Sequence, residues 1–407
     1  MEAPEIKSSG GVYVLRWEST QLGIRIDRLD EDSHHSVSGE ILIKTTAPGY
    51  VSHLHQARLN LTSTTARTTL AKVLTQRMEA VDWYAVLEQA CVKVLEAYRQ
   101  GEPVLVVGDE PVKERSRYQL EPILLQAHPS IIFGHGGTGK SYLATYISVL
   151  ISTPESHNGW EPEPGGVLYL DFETSFDEFQ GRVRAVQEGL EIQTPSPILY
   201  RFCSQALADD IAELQRVVAE QKVDVIVVDS AGPACGGEPE QSGPVLRMFK
   251  ALRSLRTTSL VIAHVAKNAE NKSPFGSAYW WNISRSVWEV RSAQEPGDDS
   301  LAVGLYHRKA NFGKLHKPFM FKLTFTDTLV RFDKTDLTAA PALAVGMSIK
   351  AQLHEALKRG LMSVEELTEE TGLPAPSIRT TLNRYSPGAF IKVQGKWGMP
   401  SPQGVTT

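Results

Sequence analysis

Eight consecutive residues, Gly134-His135-Gly136-Gly137-Thr138-Gly139-Lys140-Ser141, fit the spacing GxxxxGK[ST] at every position. They follow the apolar run Ser130-Ile-Ile-Phe133 and open an apolar helical stretch, the setting in which this spacing wraps a phosphate. The glycines let successive backbone N–H groups turn inward around one phosphate, and the helix N-terminus adds partial positive charge. Lys140 is then expected to reach the β- and γ-phosphates of ATP, and the Ser141 hydroxyl to ligate Mg²⁺. ATP and Mg²⁺ are the expected ligands.

Two strand ends add carboxylates. Asp229 closes the run Val223-Asp-Val-Ile-Val-Val-Asp229, where it can hold magnesium through water. The alternative is an Asp that caps the turn beginning at Ser230. Val167-Leu-Tyr-Leu-Asp171-Phe-Glu173 ends a second strand. Asp171 and Glu173 are two apart, so both are expected on one side of it. Glu173 is the preferred general base for the attacking water, with Asp171 as support; capping of the helix from Ser175 is the alternative for both.

These groups need a scaffold that gathers strand tips at one edge. Residues 116–336 alternate strand and helix. Strands are expected at Ser130–Phe133, Val167–Asp171, Ile198–Cys203, Val223–Asp229 and Leu260–His264. Helices are expected at Lys140–Ile151, Phe176–Gly189, Leu207–Gln221 and Pro244–Arg256. Continuous Val/Ile/Leu strands are buried on both faces, which implies a mostly parallel sheet covered by helices. Ser286–Arg291, Leu301–His307 and Phe319–Phe325 read as antiparallel strands extending it. Ahead of this core, residues 1–115 show alternating runs at 11–18, 22–29 and 39–46 and a helical period over Asp82–Gln100, an α+β pattern. Glu102–Arg117 reads as a linker. Residues 337–346 read as a second one. Residues 347–407 show a helix (Ser348–Lys358), a capping box at Ser363, a helix over Pro374–Tyr385 and a hairpin turning at Gln394-Gly395. That order is the plan of a winged helix.

A phosphate loop, an Asp-x-Glu strand end and a Val/Ile strand ending in Asp229 together resemble the RecA-type P-loop ATPase core. The YLDFE run, the winged-helix tail and the small N-terminal domain are similar to RepA-like hexameric plasmid and phage helicases and related AAA-type proteins. The resemblance covers about residues 120–335. It implies an α/β RecA-type core, a head-to-tail ring, with a hexamer expected, and contact with single- and double-stranded DNA. Glu173 matches the catalytic glutamate, and His264, ending Leu-Val-Ile-Ala-His, matches the polar γ-phosphate sensor. The segment Val265–Gly276, with Lys267 and Lys272, matches the loop that lines the DNA channel. His307-Arg308-Lys309-Ala-Asn311-Phe-Gly313 resembles the KxRxG element inserted into a neighbour's ATP site. Lys309 and Gly313 match; Asn311 stands where the family has arginine, so either Arg308 takes that role or the trans contact is weakened.

Charge supports a local polyanion contact. The chain has 407 residues and a formal net charge of −5. Residues 301–407 hold 14 Lys and Arg against 8 Asp and Glu, a net of +6, while the rest carries a net of −11. On the helix over Pro374–Tyr385, Arg379 and Arg384 can face a major groove, and Lys392 and Lys396 on the wing can meet phosphates. The tail alone has 7 basic and 5 acidic residues, so protein docking stays open for it. Composition, 42% hydrophobic and 22% charged, excludes disorder throughout. No run approaches the roughly 18 apolar residues of a membrane span, so no membrane contact is expected. Three distant cysteines, Cys91, Cys203 and Cys235, and a polar start fit a cytoplasmic chain without a disulfide framework. His34-His35 beside Asp30 and Asp32 is a weak metal candidate; Trp280, Trp281 and Trp288 are weak base-stacking candidates, with core or subunit contacts favoured. Two classes of function follow: an ATP-driven DNA helicase or translocase used in replication of a plasmid, phage or mobile element, or an ATP-switched DNA-binding regulator or recombination mediator without unwinding, partnered by replication or recombination proteins.

Overall fold

A computed structural model describes residues 2–101, 104, 106–108, 118–193, 197–265, 274, 278–294, 297–335 and 349–400. Most of Glu102–Arg117, the 337–346 linker, and Lys267 and Lys272 lie outside the described residues.

The N-terminal module begins with an antiparallel meander of β1 (Glu5–Ser9), β2 (Val12–Trp17), β3 (Leu22–Glu31), β4 (Val37–Thr45) and β5 (His53–Asn60). Two helices follow, α1 (Thr64–Arg77) and α2 (Trp83–Gln100). Alternation in β2 to β4 turns Leu15, Trp17, Ile24, Ile26, Ile41 and Ile43 to one side, where they pack on Leu70, Leu74, Trp83, Val86 and Leu87. Asp82 caps α2 as its side chain accepts from the Ala85 amide, and Gly101 ends it. The sequence reading missed β1, β5 and α1. β5 carries His53, His55, Gln56 and Arg58, and α1 is rich in Thr, so neither shows a strong apolar period.

The core opens with a short hairpin, β6 (Tyr118–Leu120) and β7 (Leu124–Leu125). It continues through β8 (Pro129–Gly134), α3 (Lys140–Ser152), β9 (Gly166–Asp171), α4 (Phe176–Gly189), β10 (Leu199–Phe202) and α5 (Ile211–Gln221). Next come β11 (Val223–Asp229), α6 (Ala231–Ala234), α7 (Ser242–Ser254), β12 (Thr258–His264) and α8 (Ala278–Ile283). Four strands close it: β13 (Ser286–Ala293), β14 (Ser300–Ala310), β15 (Phe319–Phe325) and β16 (Val330–Thr335). The sheet order is β10-β9-β11-β12-β8-β13-β14-β15-β16. Strands β10 to β13 run parallel, and β14 to β16 antiparallel. Here β13 departs from expectation: it pairs parallel with β8 and antiparallel only with β14. Buried on both faces, β8, β9, β11 and β12 separate one apolar layer around Tyr146, Ile147 and Tyr169 from another around Met248, Phe249 and Trp280. Helix α5 starts four residues later than its periodicity suggests, because Ala206 accepts from the Asp209 and Asp210 amides in a turn.

The C-terminal segment contains α9 (Ile349–Ala356) followed by a 3₁₀ turn (Leu357–Arg359), then α10 (Val364–Thr371) and α11 (Ala375–Arg384). Strands β17 (Ile391–Val393) and β18 (Lys396–Gly398) form a hairpin. Ser363 and Glu366 make the reciprocal capping box. Gln394 and Gly395 turn the hairpin with φ of 49° and 87°, the left-handed pair that a two-residue turn demands. Leu353, Leu367, Ile378, Leu382, Phe390 and Trp397 form a separate small core.

Candidate nucleotide site

Neighbouring strand tips build the site. β9, β11, β12 and β8 are adjacent, and their register pairs Asp171 with Asp229 and Gly134 with His264. The carboxyl edge of a parallel sheet is where open α/β folds bind ligands. The phosphate loop leaves β8 at Gly134 and enters α3 at Lys140. A Cβ on Gly134 would lie 2.4 Å from the Val290 carbonyl, so no other residue fits against β13. Gly139 has φ +81°, a left-handed conformation next to the first helical residue. The Thr138 hydroxyl closes the loop by donating to the His135 carbonyl at 2.9 Å.

Lys140 is buried, and its ammonium donates to the His135 carbonyl (2.5 Å). Burial draws its pKa below the ordinary value, while Asp229 and Glu173 pull the other way. Asp229 is also buried. Tyr169 donates its hydroxyl to Asp229 Oδ2 (2.6 Å), and the Ser141 hydroxyl bonds the same carboxyl group. Burial raises the pKa of Asp229 above the carboxylate norm, against those two hydrogen bonds.

Glu173 projects into the same cavity, and Asp171 does not. Asp171 Oδ1 accepts from the amides of Glu173 and Thr174, both 2.9 Å, and Oδ2 accepts from the Thr174 hydroxyl. Asp171 therefore caps the turn after β9. The expectation that the two acids share a side fails because β9 ends at Asp171 and strand alternation stops there. Helix α4 is capped by its own Ser175–Glu178 box, so Glu173 is released from that duty. Ser230 donates its hydroxyl to Glu173 Oε1, and His264 Nε2 lies 3.6 Å from the same oxygen. The His264 contact, with Ser230, lowers the Glu173 pKa despite its partial burial. Glu173 thus has the ionised form and the fixed position that a base requires.

Together these side chains line a cavity of about 360 Å³, with Tyr142, Arg182, Gln294, Leu301 and Phe325 on its further wall. The fit to a triphosphate rests on chemistry present in the chain. A buried ammonium bonds only a carbonyl and a hydroxyl, and the Arg182 Nη1 atom is buried with no hydrogen-bond partner among the described residues. Ser141 and Asp229 are the residues that would hold Mg²⁺. Tyr169 and Ser230, which orient the two acids, were not singled out in the sequence; Tyr169 is legible only as part of the YLDFE run.

Other candidates fall elsewhere. Arg308 and Lys309 lie near the end of β14, away from the cavity, since β14 runs antiparallel to β13, pairs Lys309 with Val287 at the start of β13, and lines the cavity with Leu301 near its own start. Arg308 Nε donates to Glu289 (2.6 Å), and its guanidinium lies 5.0 Å over the Tyr306 ring. The Lys309 ammonium donates to the carbonyls of Trp281 (2.5 Å), Ser284 (2.8 Å) and Asn282 (3.3 Å), closing the C-terminal end of α8. Trp280 and Trp288 are fully buried, so these two do not stack bases. His34 and His35 are exposed, His35 bonds Glu31, and no metal-binding group of three appears among the described residues. On α11, Arg379 and Arg384 are exposed. Lys396 pairs with Glu366 (2.8 Å), and Lys392 lies 5.8 Å over Trp397.

Residues 96–270 match a family model described as "AAA domain". The match contains the phosphate loop, Glu173, Asp229 and His264. No curated protein matches the chain. Among solved structures, a KaiC-like protein from the hyperthermophilic archaeon Pyrococcus horikoshii OT3 is similar at 14% identity, covering 53% of this chain and 93% of that one, with a TM-score of 0.39. The AAA match and the four adjacent strand tips fall on the same part of the chain, a phosphate-loop core on a mostly parallel sheet.

Proposed function

We propose that the protein is an ATP-hydrolysing, oligomeric DNA-binding motor, a RepA-like helicase or translocase used in replication of a plasmid, phage or mobile element. One observation carries the hydrolytic part: Glu173, fixed by Ser230 and beside His264, faces the cavity that Lys140, Ser141 and Asp229 also line. Lys140 binds phosphate oxygens, Glu173 takes a proton from the attacking water, and His264 reports on the γ-phosphate. Ser141 and Asp229 would hold Mg²⁺, which would supply neutralisation of the phosphate charge. Support for DNA contact comes from the C-terminal segment, read as a winged helix, whose α11 exposes Arg379, Thr380, Asn383 and Arg384. Lys267 and Lys272 are proposed for the DNA channel.

A second reading draws on a specific observation. Arg308 and Lys309 are engaged within their own chain, and Asn311 stands at the arginine position. A weak trans contact suits an ATP-switched DNA-binding regulator without unwinding. Directional unwinding of a forked duplex with Mg·ATP separates the two. Strand separation supports the motor; ATP-dependent DNA binding without separation supports the regulator. Electron microscopy with an ATP analogue and single-stranded DNA reads the assembly, a ring being expected.

A further inference from the structure

Two apolar patches stand exposed at opposite ends of the nine-stranded sheet. At the carboxyl end, β9 and the edge strand β10 stop side by side, with Phe202 paired to Asp171. Phe176 opens α4 just beyond, and its ring meets the Tyr200 ring with centroids 5.4 Å apart. Tyr200 and Phe202 are two apart on β10, so they share a face and extend the row. Phe176 is 52% exposed and Phe202 61%. The acids around Phe176 are exposed too: Glu173, Asp177 and Glu178. At the amino end, the loop 311–318 leaves β14 beside the start of β8. Asn311 donates its amide to the Arg285 carbonyl (3.0 Å), Arg285 donates its own to the Pro129 carbonyl (3.2 Å), and the Phe312 ring stacks on His128 at 5.7 Å. The His316 amide donates to the buried His307 ring (3.2 Å), which pins the loop. Phe312 is 43% exposed and Leu315 55%, and exposed Lys314 and Lys317 are interleaved with them. The loop has no acidic residue. The length of β8, roughly 17–20 Å, separates the two ends, so the patches do not meet within one chain.

We propose that they meet between copies: Phe312 and Leu315 of one copy seat on the Phe176–Tyr200–Phe202 row of the next, with Lys314 and Lys317 set against Asp177 and Glu178. Scattered exposed apolar residues are ordinary, but a contiguous aromatic row rimmed by charge marks an interaction surface. One patch is apolar and basic, the other apolar and acidic, so each complements the other and repels its own kind. A second copy of this chain is therefore the partner that fits. Because the patches lie at opposite ends of the sheet, the contact is heterologous and propagates head to tail. The proposal deepens the oligomeric reading above and rests on it. It needs neither Arg308 nor Lys309, which are bonded in their own chain. It places the neighbour's loop beside Phe176, three residues after Glu173.

The test is sedimentation velocity on the full chain over a concentration series. Leu315→Asp breaks the loop; Phe176→Asp and, on a different element, Phe202→Asp break the row. Each alone should raise the dissociation constant about 30-fold or more, the effect of losing an interface anchor. Mixed one to one, Leu315→Asp and Phe176→Asp should form a dimer and stop there. The first keeps its row and the second its loop, so only one contact of the pair is intact. Lys314→Glu with Lys317→Glu should also weaken assembly, and adding Asp177→Lys to the same chain should recover part of it. If circular dichroism shows that Phe176→Asp does not fold, Phe202→Asp takes its place in the mixture. A wild type that assembles while the folded variants assemble equally well, or a mixture that gives no dimer, overturns the proposal alone. A wild type that stays monomeric removes the oligomeric reading and this proposal with it.

Discussion

At the residue scale, Lys140 and Glu173 perform separable tasks. Lys140→Ala removes the buried ammonium that faces the phosphates, so Mg·ATP affinity should fall, as read by nucleotide titration. Glu173→Gln keeps shape and loses the base; nucleotide should still bind while turnover drops about 10²-fold or more. Wild-type-like turnover in that variant would move the base elsewhere. The two acids also differ in sign. Burial raises the Asp229 pKa, and the His264 and Ser230 contacts lower that of Glu173. Tyr169→Phe removes a hydrogen bond that favours the Asp229 anion, so its pKa should rise further. The acid limb of the kcat/KM profile should then shift to higher pH; a limb that stays in place would assign it to another group.

At the element scale, the junction of β13 and β14 contains a pH-sensitive contact. His307 is buried, stacked on Trp288 with ring centroids 4.0 Å apart. Its Nδ1 accepts from the His316 amide (3.2 Å), and Nε2 faces the Ser286 hydroxyl (3.3 Å). Burial, then His316, pushes its pKa down from 6.5 to about 4. The unfolded chain binds a proton below pH 6.5 that the folded chain refuses until about 4. Stability should therefore be lost as pH falls through that window, by up to about 3 kcal/mol. Urea melts at pH 7.5 and 5 should show the loss, and His307→Gln should flatten it. The C-terminal elements make a separate prediction. Deleting residues 346–407 should weaken duplex binding and reduce its salt dependence, because Arg379, Arg384, Lys392 and Lys396 are removed together. Unchanged binding at low salt would make this segment a protein-docking module.

At the scale of the whole molecule, the N-terminal module is fastened to the core by charge. Arg216 on α5 bonds Asp27 through two nitrogens, 2.8 and 2.6 Å, and reaches Glu40 (2.5 Å). Arg28 bridges Glu40 (2.8 Å) and Glu213 (3.0 Å). Asp27 is nearly inaccessible at 2%, and after Arg216→Ala its carboxylate is left with Arg25 (3.0 Å). A loss of about 1–3 kcal/mol is expected in thermal or urea melts, the cost of removing charged hydrogen bonds from a buried group. Assembly gives the other prediction at this scale. Mixing Lys140→Ala with Arg308→Ala should restore part of the ATPase if Arg308 acts on a neighbour's site across a head-to-tail contact. No recovery, with co-assembly confirmed by sizing, would confine Arg308 to its pairing with Glu289.

Local signals were enough for the elements whose chemistry is local. The phosphate loop, the β11 run ending at Asp229, the Ser363 capping box and the Gln394-Gly395 turn are each specified by a few adjacent residues whose backbone needs have one solution. α4 was bounded at Phe176–Gly189 for the same reason, its apolar period and cap lying within it. What depended on distant partners was not legible. Whether Asp171 or Glu173 faced the cavity turned on where β9 stopped and on Ser230 and His264, which lie 57 and 91 positions after Glu173 in the chain. The parallel pairing of β13 with β8 depends on β8 being the last of the parallel strands beside β12, an order that the chain does not follow. Arg182 and Arg216 have no motif at all. An arginine on a helix reads as a solvated charge until packing sets what it faces, and only the tertiary structure decided that Arg182 lies over Tyr142 in the cavity wall and Arg216 against Asp27.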